Sequence, residues 1–547
     1  MSREVVKRVL IIGLDGGTFD VLKPQMQAGN MPTLQRLVAE GAHGELRSTL
    51  PPITGPAWRT FASGCNPGKH GVIDFVEFDP QTREVHVKDV SRLSSPPAFW
   101  DELGRQGKQV GIMGVPMTYP PRPVNGFLLT GLMTPPGSDN FTFPADLGAA
   151  LAAQGLSFPT SEGEGANASR PAAYVEQVIG DMQRRVETAL HLLKTRQPEC
   201  VSFVFGATDP LQHQYFHWLD PDDARQDEEM QALLGRFFRA VDDGINQLLS
   251  FADDETLVIV ISDHGFGRLR GFIHLNNWLL EKGYLRLRRD PLTRLRYVAH
   301  RLGYTPENIY RLAKRLGLDM RRRMNRGRVY SLTRLAFMSF ANVDWSRTRA
   351  YALGHIGQVY IPRAAGMSDA DYESLRDDLR RELLAMEHPV TGERIIERMY
   401  RREELYHGPY TDQAPDLILQ PREFRYVAFG ESEFASNLIV GPGLHTGHHR
   451  LEGILIMQGA GVQQGVALND ASIADIAPTT LYAMGLAVPR HMDGRPLQAA
   501  FTESFVQNNP LRFTDEPSSY MDSTQDGYTE DEEELVRRRL RDLGYTA

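Results

Sequence analysis

An α/β fold with a largely parallel central sheet, helices on both faces and a helical insertion is what the sequence predicts, on three observations. Short Val- and Ile-rich runs at residues 9–14, 110–115, 201–205, 257–261 and 454–457 each end in polar or glycine-rich turns. Uninterrupted apolar runs of that length mark strands buried on both faces. Helix-like stretches at 31–40, 172–193, 228–251 and 370–386 lie among them, as crossover connections between parallel strands require. Three of the runs stop in or just before an acidic residue, Asp15, Asp209 and Asp263. Functional groups in such sheets gather at the carboxyl ends of the strands.

Length and composition agree with a large globular enzyme. The 547 residues are 41% hydrophobic and 24% charged, ordinary values for a folded chain. A net charge of −9 does not suit nucleic acid as the main partner. Two cysteines, Cys65 and Cys200, are too few for a disulfide framework or a thiolate zinc site and fit a reducing compartment. The first apolar run has only a strand's length, unlike a signal peptide, and no run approaches the ~20 apolar residues that span a bilayer. The expectation is a soluble, cytoplasmic protein of open oligomeric state.

Charge divides the chain. Residues 286–328 carry 14 Arg or Lys against Asp290, Glu307 and Asp319, with helical apolar spacing at Tyr297, Leu302, Ile309, Leu312 and Leu316. This is expected to be a helical insertion, a cap whose basic face either stays solvated or meets an anion, with Arg321, Arg322 and Arg323 at its centre. Residues 515–534 hold nine acidic side chains and no basic one, followed by an amphipathic stretch at 535–543, which suggests a mobile acidic linker and a docked or fraying last helix. The expected division is a catalytic domain from 1–283 and 346–502, a basic insertion at 284–345 and an acidic tail at 503–547.

The strand-end acids have histidines beside them. Asp263 and His264 are adjacent, and Asp209 and His213 are four apart, on one face of a helical turn. His448 and His449 precede the run at 454–457. With Asp15, and counting one of His448 and His449, these provide three carboxylates and three imidazoles, a donor set suited to Zn²⁺ or Mn²⁺. One Asp-His pair alone carries little, whereas the recurrence at strand ends points to a metal centre. The segment Leu50-Pro51-Pro52-Ile53-Thr54-Gly55-Pro56 offers a hydroxyl at the start of a helix, where free N–H groups favour an anion. Thr54 there is either a helix cap or a nucleophile activated by a metal.

These segments together resemble the alkaline phosphatase superfamily, and most of all its type I phosphodiesterase/nucleotide pyrophosphatase branch and the predicted phosphohydrolases related to it. The likeness rests on Gly13-Leu14-Asp15-Gly16-Gly17, on Thr54-Gly55-Pro56 with Pro67-Gly68-Lys69-His70-Gly71, and on Ser262-Asp263-His264-Gly265. The closing segments Asp475-Ile476-Ala477-Pro478-Thr479-Thr480-Leu481 and Met492-Asp493-Gly494-Arg495 extend it, so that it runs from about residue 8 to 500. The resemblance implies an alkaline phosphatase-like fold and a two-metal phosphohydrolase acting through a phospho-threonine on Thr54. One metal would be held by Asp15, Thr54, Asp263 and His264. The other would be held by Asp209, His213 and one of His445, His448 and His449, with His449 favoured by the match at Gly447 to Leu455. Zn²⁺ is the first choice of metal and Mn²⁺ the second. A small phosphorylated molecule is the implied substrate, and Arg59, Lys69 and His217 are candidate contacts for it.

One departure bears on the substrate. Where nucleotide pyrophosphatases place a phosphate-binding asparagine after the His-Gly pair, this chain has Phe75. A phosphodiesterase or pyrophosphatase remains the first expectation, a phosphomonoesterase or phosphomutase with the same site the second, and a metal-binding scaffold without turnover the third. No Cys-x-Pro-x-Arg motif surrounds Thr54, which argues against the sulfatase branch.

Overall fold

The computed structural model describes residues 5–79, 82–163, 170–223, 225–315, 337–363, 366–430, 432–442, 445–515 and 527–543. Nine strands form the central sheet: β1 (Arg8–Leu14), β2 (Ala42–Arg47), β3 (Val110–Met113), β4 (Gly126–Leu129), β5 (Thr142–Phe143), β6 (Cys200–Phe205), β7 (Thr256–Ile261), β8 (Glu452–Gly459) and β9 (Ala467–Ser472). Their spatial order is β9-β2-β8-β7-β1-β6-β3-β4-β5. The centre is parallel, β1 pairing with β6 and β7 and β3 with β4 and β6. The run at 454–457 lies in β8, which is antiparallel to both β2 and β7. It enters the sheet directly from the short strand Gly447–Arg450, without the crossover helix that a parallel strand needs.

The apolar runs are continuous because each strand feeds two cores. Leu10, Ile12 and Leu14 of β1 point into one, with Phe203, Phe205, Val258 and Val260. Val9 and Ile11 point into the other, with Val204, Leu257, Ile259 and Ile261, as the period of two demands. The helices that matter below are α1 (Thr54–Ser63), α2 (Pro171–Arg196), α3 (Thr208–Leu219), α4 (Glu228–Leu249), α5 (Pro291–Arg301) and α6 (Glu530–Leu543). Helices α2 and α4 cover the first face, and Trp58 and Phe61 of α1 cover the second.

A further core lies off the central sheet. Ile273, Trp278 and Leu279 pack with Tyr351, Leu379 and Leu417, around a four-stranded antiparallel sheet (Tyr351–Ala352, Gln358–Tyr360, Ile396–Arg401 and Leu417–Pro421). Within the basic insertion, α5 and the helix Pro306–Arg315 are described. Leu316 and the cluster Arg321, Arg322 and Arg323 lie outside the described residues. Of the acidic stretch, residues 516–526 also lie outside them, while α6 buries Val536 and Leu540 completely beside Ile53, Val72 and Phe75.

Candidate active site

Short loops after β1, β6 and β7 bring the strand-end acids together. Asp15 follows β1 directly, Asp263 lies two residues beyond β7, and Asp209 sits in the first turn of α3, just past β6. All three are at least 97% buried. Backbone and side-chain donors hold this region in place: Gly16 N–H donates to Asp263 Oδ1 (3.1 Å), Trp58 Nε1–H donates to Asp15 Oδ2 (3.3 Å), and Gln212 Nε2 donates to the Gly16 carbonyl (2.9 Å).

Three imidazoles complete the cluster, each anchored through Nδ1 to a backbone carbonyl. His264 bonds to Gly265 O (3.1 Å), His213 to Gly447 O (3.1 Å) and His449 to Pro52 O (2.8 Å). A ring that donates Nδ1–H to a carbonyl presents an unprotonated Nε2. Yet His213 Nε2 and His449 Nε2 are 3.0 Å apart. Two lone pairs at that distance repel unless a cation lies between them. Asp209 Oδ1 is 3.1 Å from His449 Nε2 and 3.5 Å from His213 Nε2. Around a tetrahedral Zn²⁺ with ligands at ~2.0–2.1 Å, neighbouring ligand atoms stand about 3.3 Å apart. The observed separations fit that cage.

Thr54 completes the arrangement. It is fully buried as the first residue of α1, and its Oγ1 lies 3.1 Å from His264 Nε2. The N-cap of α1 is Ile53, an apolar residue, and the Thr54 hydroxyl one residue later faces the cluster through His264. His264 Nε2 is 3.3 Å from Asp263 Oδ2 and 3.7 Å from Asp15 Oδ1. Among the described residues two groups of donor atoms could each hold a cation, Asp15–Asp263–His264 and Asp209–His264–His449. His264 belongs to both, and His213 adjoins the second.

The electrostatics also call for cations. Burial and the neighbouring carboxylates push Asp15 well above its usual range, and Asp263 is raised for the same two reasons. Burial also raises Asp209, but His213, His449 and His264 together pull it below the ordinary range. Burial lowers His213 to about 4 and His264 well below its normal value, so both stay neutral and able to ligate. Asp15 Oδ1 and Asp263 Oδ2 are buried without a hydrogen-bond donor among the described residues. Such atoms are open to a divalent ion.

The other expected residues each have partners of their own. His448 alternates with His449 along its strand and packs edge-on against His213, as His445 packs at a tilt; neither belongs to the two donor groups. Lys69 binds Asp493 and the His491 carbonyl (both within 2.7 Å). Arg59 lines a separate hollow with Trp100, Asp101 and Arg122, where burial and Arg122 lower it to about 10. His217 lies half-buried with its ring 4.2 Å from that of Trp218.

Three features were not read from the sequence. A cavity that touches Asp15 and Asp209 is walled by Thr160, Ser161, Glu162 and Leu543. In its wall Glu162 forms a buried ion pair with Arg185. The pair Asp74–His355 is also buried: His355 Nδ1 lies 2.7 Å from Asp74 Oδ1, and Phe75 packs edge-on against the ring. Of these, only Asp74 lay in a segment whose motif drew notice.

The family model described as type I phosphodiesterase/nucleotide pyrophosphatase matches residues 9–441. Among solved structures, phosphonoacetate hydrolase from Sinorhizobium meliloti 1021 in complex with phosphonoacetate aligns at TM-score 0.52 and 16% identity, over 88% of this chain and 96% of that one. An inactive threonine-to-alanine variant of murine ectonucleotide pyrophosphatase/phosphodiesterase 5 in complex with AMP aligns at 0.50 and 14%, over 91% and 100%. At these identities the likeness is one of fold. No curated protein sequence matches.

Proposed function

The chain belongs to the type I phosphodiesterase/nucleotide pyrophosphatase family, and from that premise we propose that it is a two-metal phosphohydrolase in which Thr54 is the nucleophile and a phosphodiester or pyrophosphate the substrate. The coarser statement, that it is a phosphoric ester hydrolase, follows from the family itself. One observation carries the finer reading. Thr54 Oγ1 lies at the buried start of a helix, 3.1 Å from an imidazole that is itself surrounded by three carboxylates. The inactivity of the murine relative with its threonine changed to alanine supports the same role for a threonine here.

Asp15, Asp263 and His264 would hold one divalent ion and Asp209, His213 and His449 the other. When bound, the two ions supply charge neutralisation for the phosphoryl oxygens and acidify the threonine hydroxyl. The remaining chemistry belongs to the chain. Thr54 Oγ1, stripped of its proton, attacks phosphorus in line. The bond from phosphorus to the leaving oxygen breaks, and that oxygen departs with its electron pair and takes up a proton. The start of α1 favours the anion on phospho-Thr54. Water then attacks phosphorus from the opposite side and regenerates the hydroxyl. Asp209, drawn below the usual carboxylate range, stays ionised throughout.

A monoesterase or phosphomutase is favoured by one feature, the fully buried Phe75 where the family's asparagine stands. A panel of p-nitrophenyl mono- and diesters, with a phosphonate added and Zn²⁺ or Mn²⁺ present, separates the readings. Diester turnover that exceeds monoester turnover supports the main proposal. The reverse order supports the second. No turnover of any member with metal-loaded protein would mean a scaffold.

A further inference from the structure

Helix α5 presents an apolar stripe to solvent. Among the described residues ten large hydrophobic side chains are exposed, and six of them fall between 292 and 312. Four lie on or just beyond α5 at helical spacing: Leu292 (54% exposed), Leu295 (67%), Val298 (54%) and Leu302 (83%). The helix does not need that face for folding. Its inner face already buries Thr293 and His300. The Thr293 hydroxyl donates to Asp290 (2.8 Å), the Asn342 amide donates to Thr293 Oγ1 (3.1 Å), and His300 packs edge-on against Phe434. Single exposed leucines are common, but a contiguous row marks a contact surface.

The charges beside the stripe say what it meets. Arg289, Arg294, Arg296 and Arg301 form no ion pair among the described residues, the helix's first turn holds no acid, and Asp290 before it is engaged as its cap. A second copy of the chain would bring like charges face to face. Nucleic acid would use the arginines and leave the leucines in water. A membrane surface satisfies both, since the apolar row enters the acyl boundary while guanidinium groups reach the phosphate layer.

We propose that α5 docks the protein onto an anionic lipid surface, lying in its plane with Leu292, Leu295, Val298 and Leu302 inserted and Arg294 and Arg301 on the headgroup phosphates. This is peripheral contact; no helix among the described residues is long and apolar enough to cross a membrane.

The test is co-sedimentation of the full-length protein with vesicles of phosphatidylcholine alone or mixed with phosphatidylglycerol. Binding is expected only to the anionic vesicles and should weaken as salt rises. The double variant Leu295→Glu/Leu302→Glu should lower affinity at least ~10-fold, and Arg294→Gln/Arg301→Gln about fivefold per charge removed. Both sites are exposed, so unchanged unfolding midpoints and p-nitrophenyl ester turnover would show that the variants fold. Failure of the wild type to sediment with anionic vesicles overturns the proposal, as does binding that survives the Leu→Glu pair. Self-association of the wild type, lost in Leu295→Glu/Leu302→Glu without vesicle binding, would make the stripe a protein interface and overturn it too.

Discussion

Thr54 and His449 illustrate how far local pattern reaches. Thr54 has two expected roles, helix cap or nucleophile, and the proposed nucleophile rests on its Oγ1 lying 3.1 Å from His264 Nε2. Thr54→Ala should reduce hydrolysis at least ~10³-fold while the unfolding midpoint and metal content stay near those of the wild type; near-normal turnover in metal-replete protein would refute the assignment. His449 is favoured over His448 because its Nε2 lies 3.1 Å from Asp209 Oδ1 and it shares a donor group with Asp209 and His264. His449→Gln should lower bound metal from two to about one per chain by elemental analysis. His448→Gln should leave it at two, and equal losses would contradict the ligand choice. Asp74 gives a test by pH. Burial raises its carboxyl, but His355 and the Phe75 amide hold it below the usual range, and Gln358 also donates to it (2.8 Å). A carboxyl depressed in the folded state stabilises above its unfolded value of ~3.9, and that contribution fades as pH falls through the lower folded value. Asp74→Asn should therefore cost about 1.5–3 kcal/mol near pH 7 and progressively less as the pH drops below ~4, by urea unfolding. A pH-independent loss would mean that the hydrogen bonds, not the charge, matter.

Helices and strands were more legible at their centres than in their setting. The runs at 9–14, 201–205 and 257–261 are β1, β6 and β7 to within a residue or so, because strands buried on both faces must be apolar throughout. That β8 runs antiparallel was not legible, since direction depends on which connection precedes a strand. The last helix shows the same limit. Its amphipathic spacing is visible, but its partner is more than 400 residues away in sequence: α6 buries Val536 and Leu540 beside Ile53, the residue before Thr54. Leu540→Ala should destabilise by ~2–5 kcal/mol, read from urea unfolding. Truncation after residue 515 should lower both the unfolding midpoint and turnover. An unchanged midpoint would show that α6 adds nothing to the core. The basic insertion divides similarly, for its charge was countable while its outward leucines appear only once the inner face of α5 is known.

The assembled protein poses an electrostatic problem that bound cations would resolve. Asp15, Asp209 and Asp263 are buried together, and charges in a poorly hydrated interior repel strongly. Removing metal with a chelator should lower the unfolding temperature, and Zn²⁺ or Mn²⁺ should restore it; a chelated protein as stable as the loaded one would count against a metal centre. The chemical identity of this cluster was readable in one dimension, because Asp15, Asp209, Asp263 and His264 each sit where a strand ends, and the strand is a local property of the chain. Which histidine joins them, where Lys69 and Arg59 spend their charge, and that Glu162, Arg185, Asp74 and His355 line or adjoin the site are matters of contact between segments far apart in sequence. No periodicity records such contacts. Sequence determines which groups arrive at the sheet's carboxyl edge, because backbone geometry carries them there, and packing in three dimensions decides which of those groups face one another.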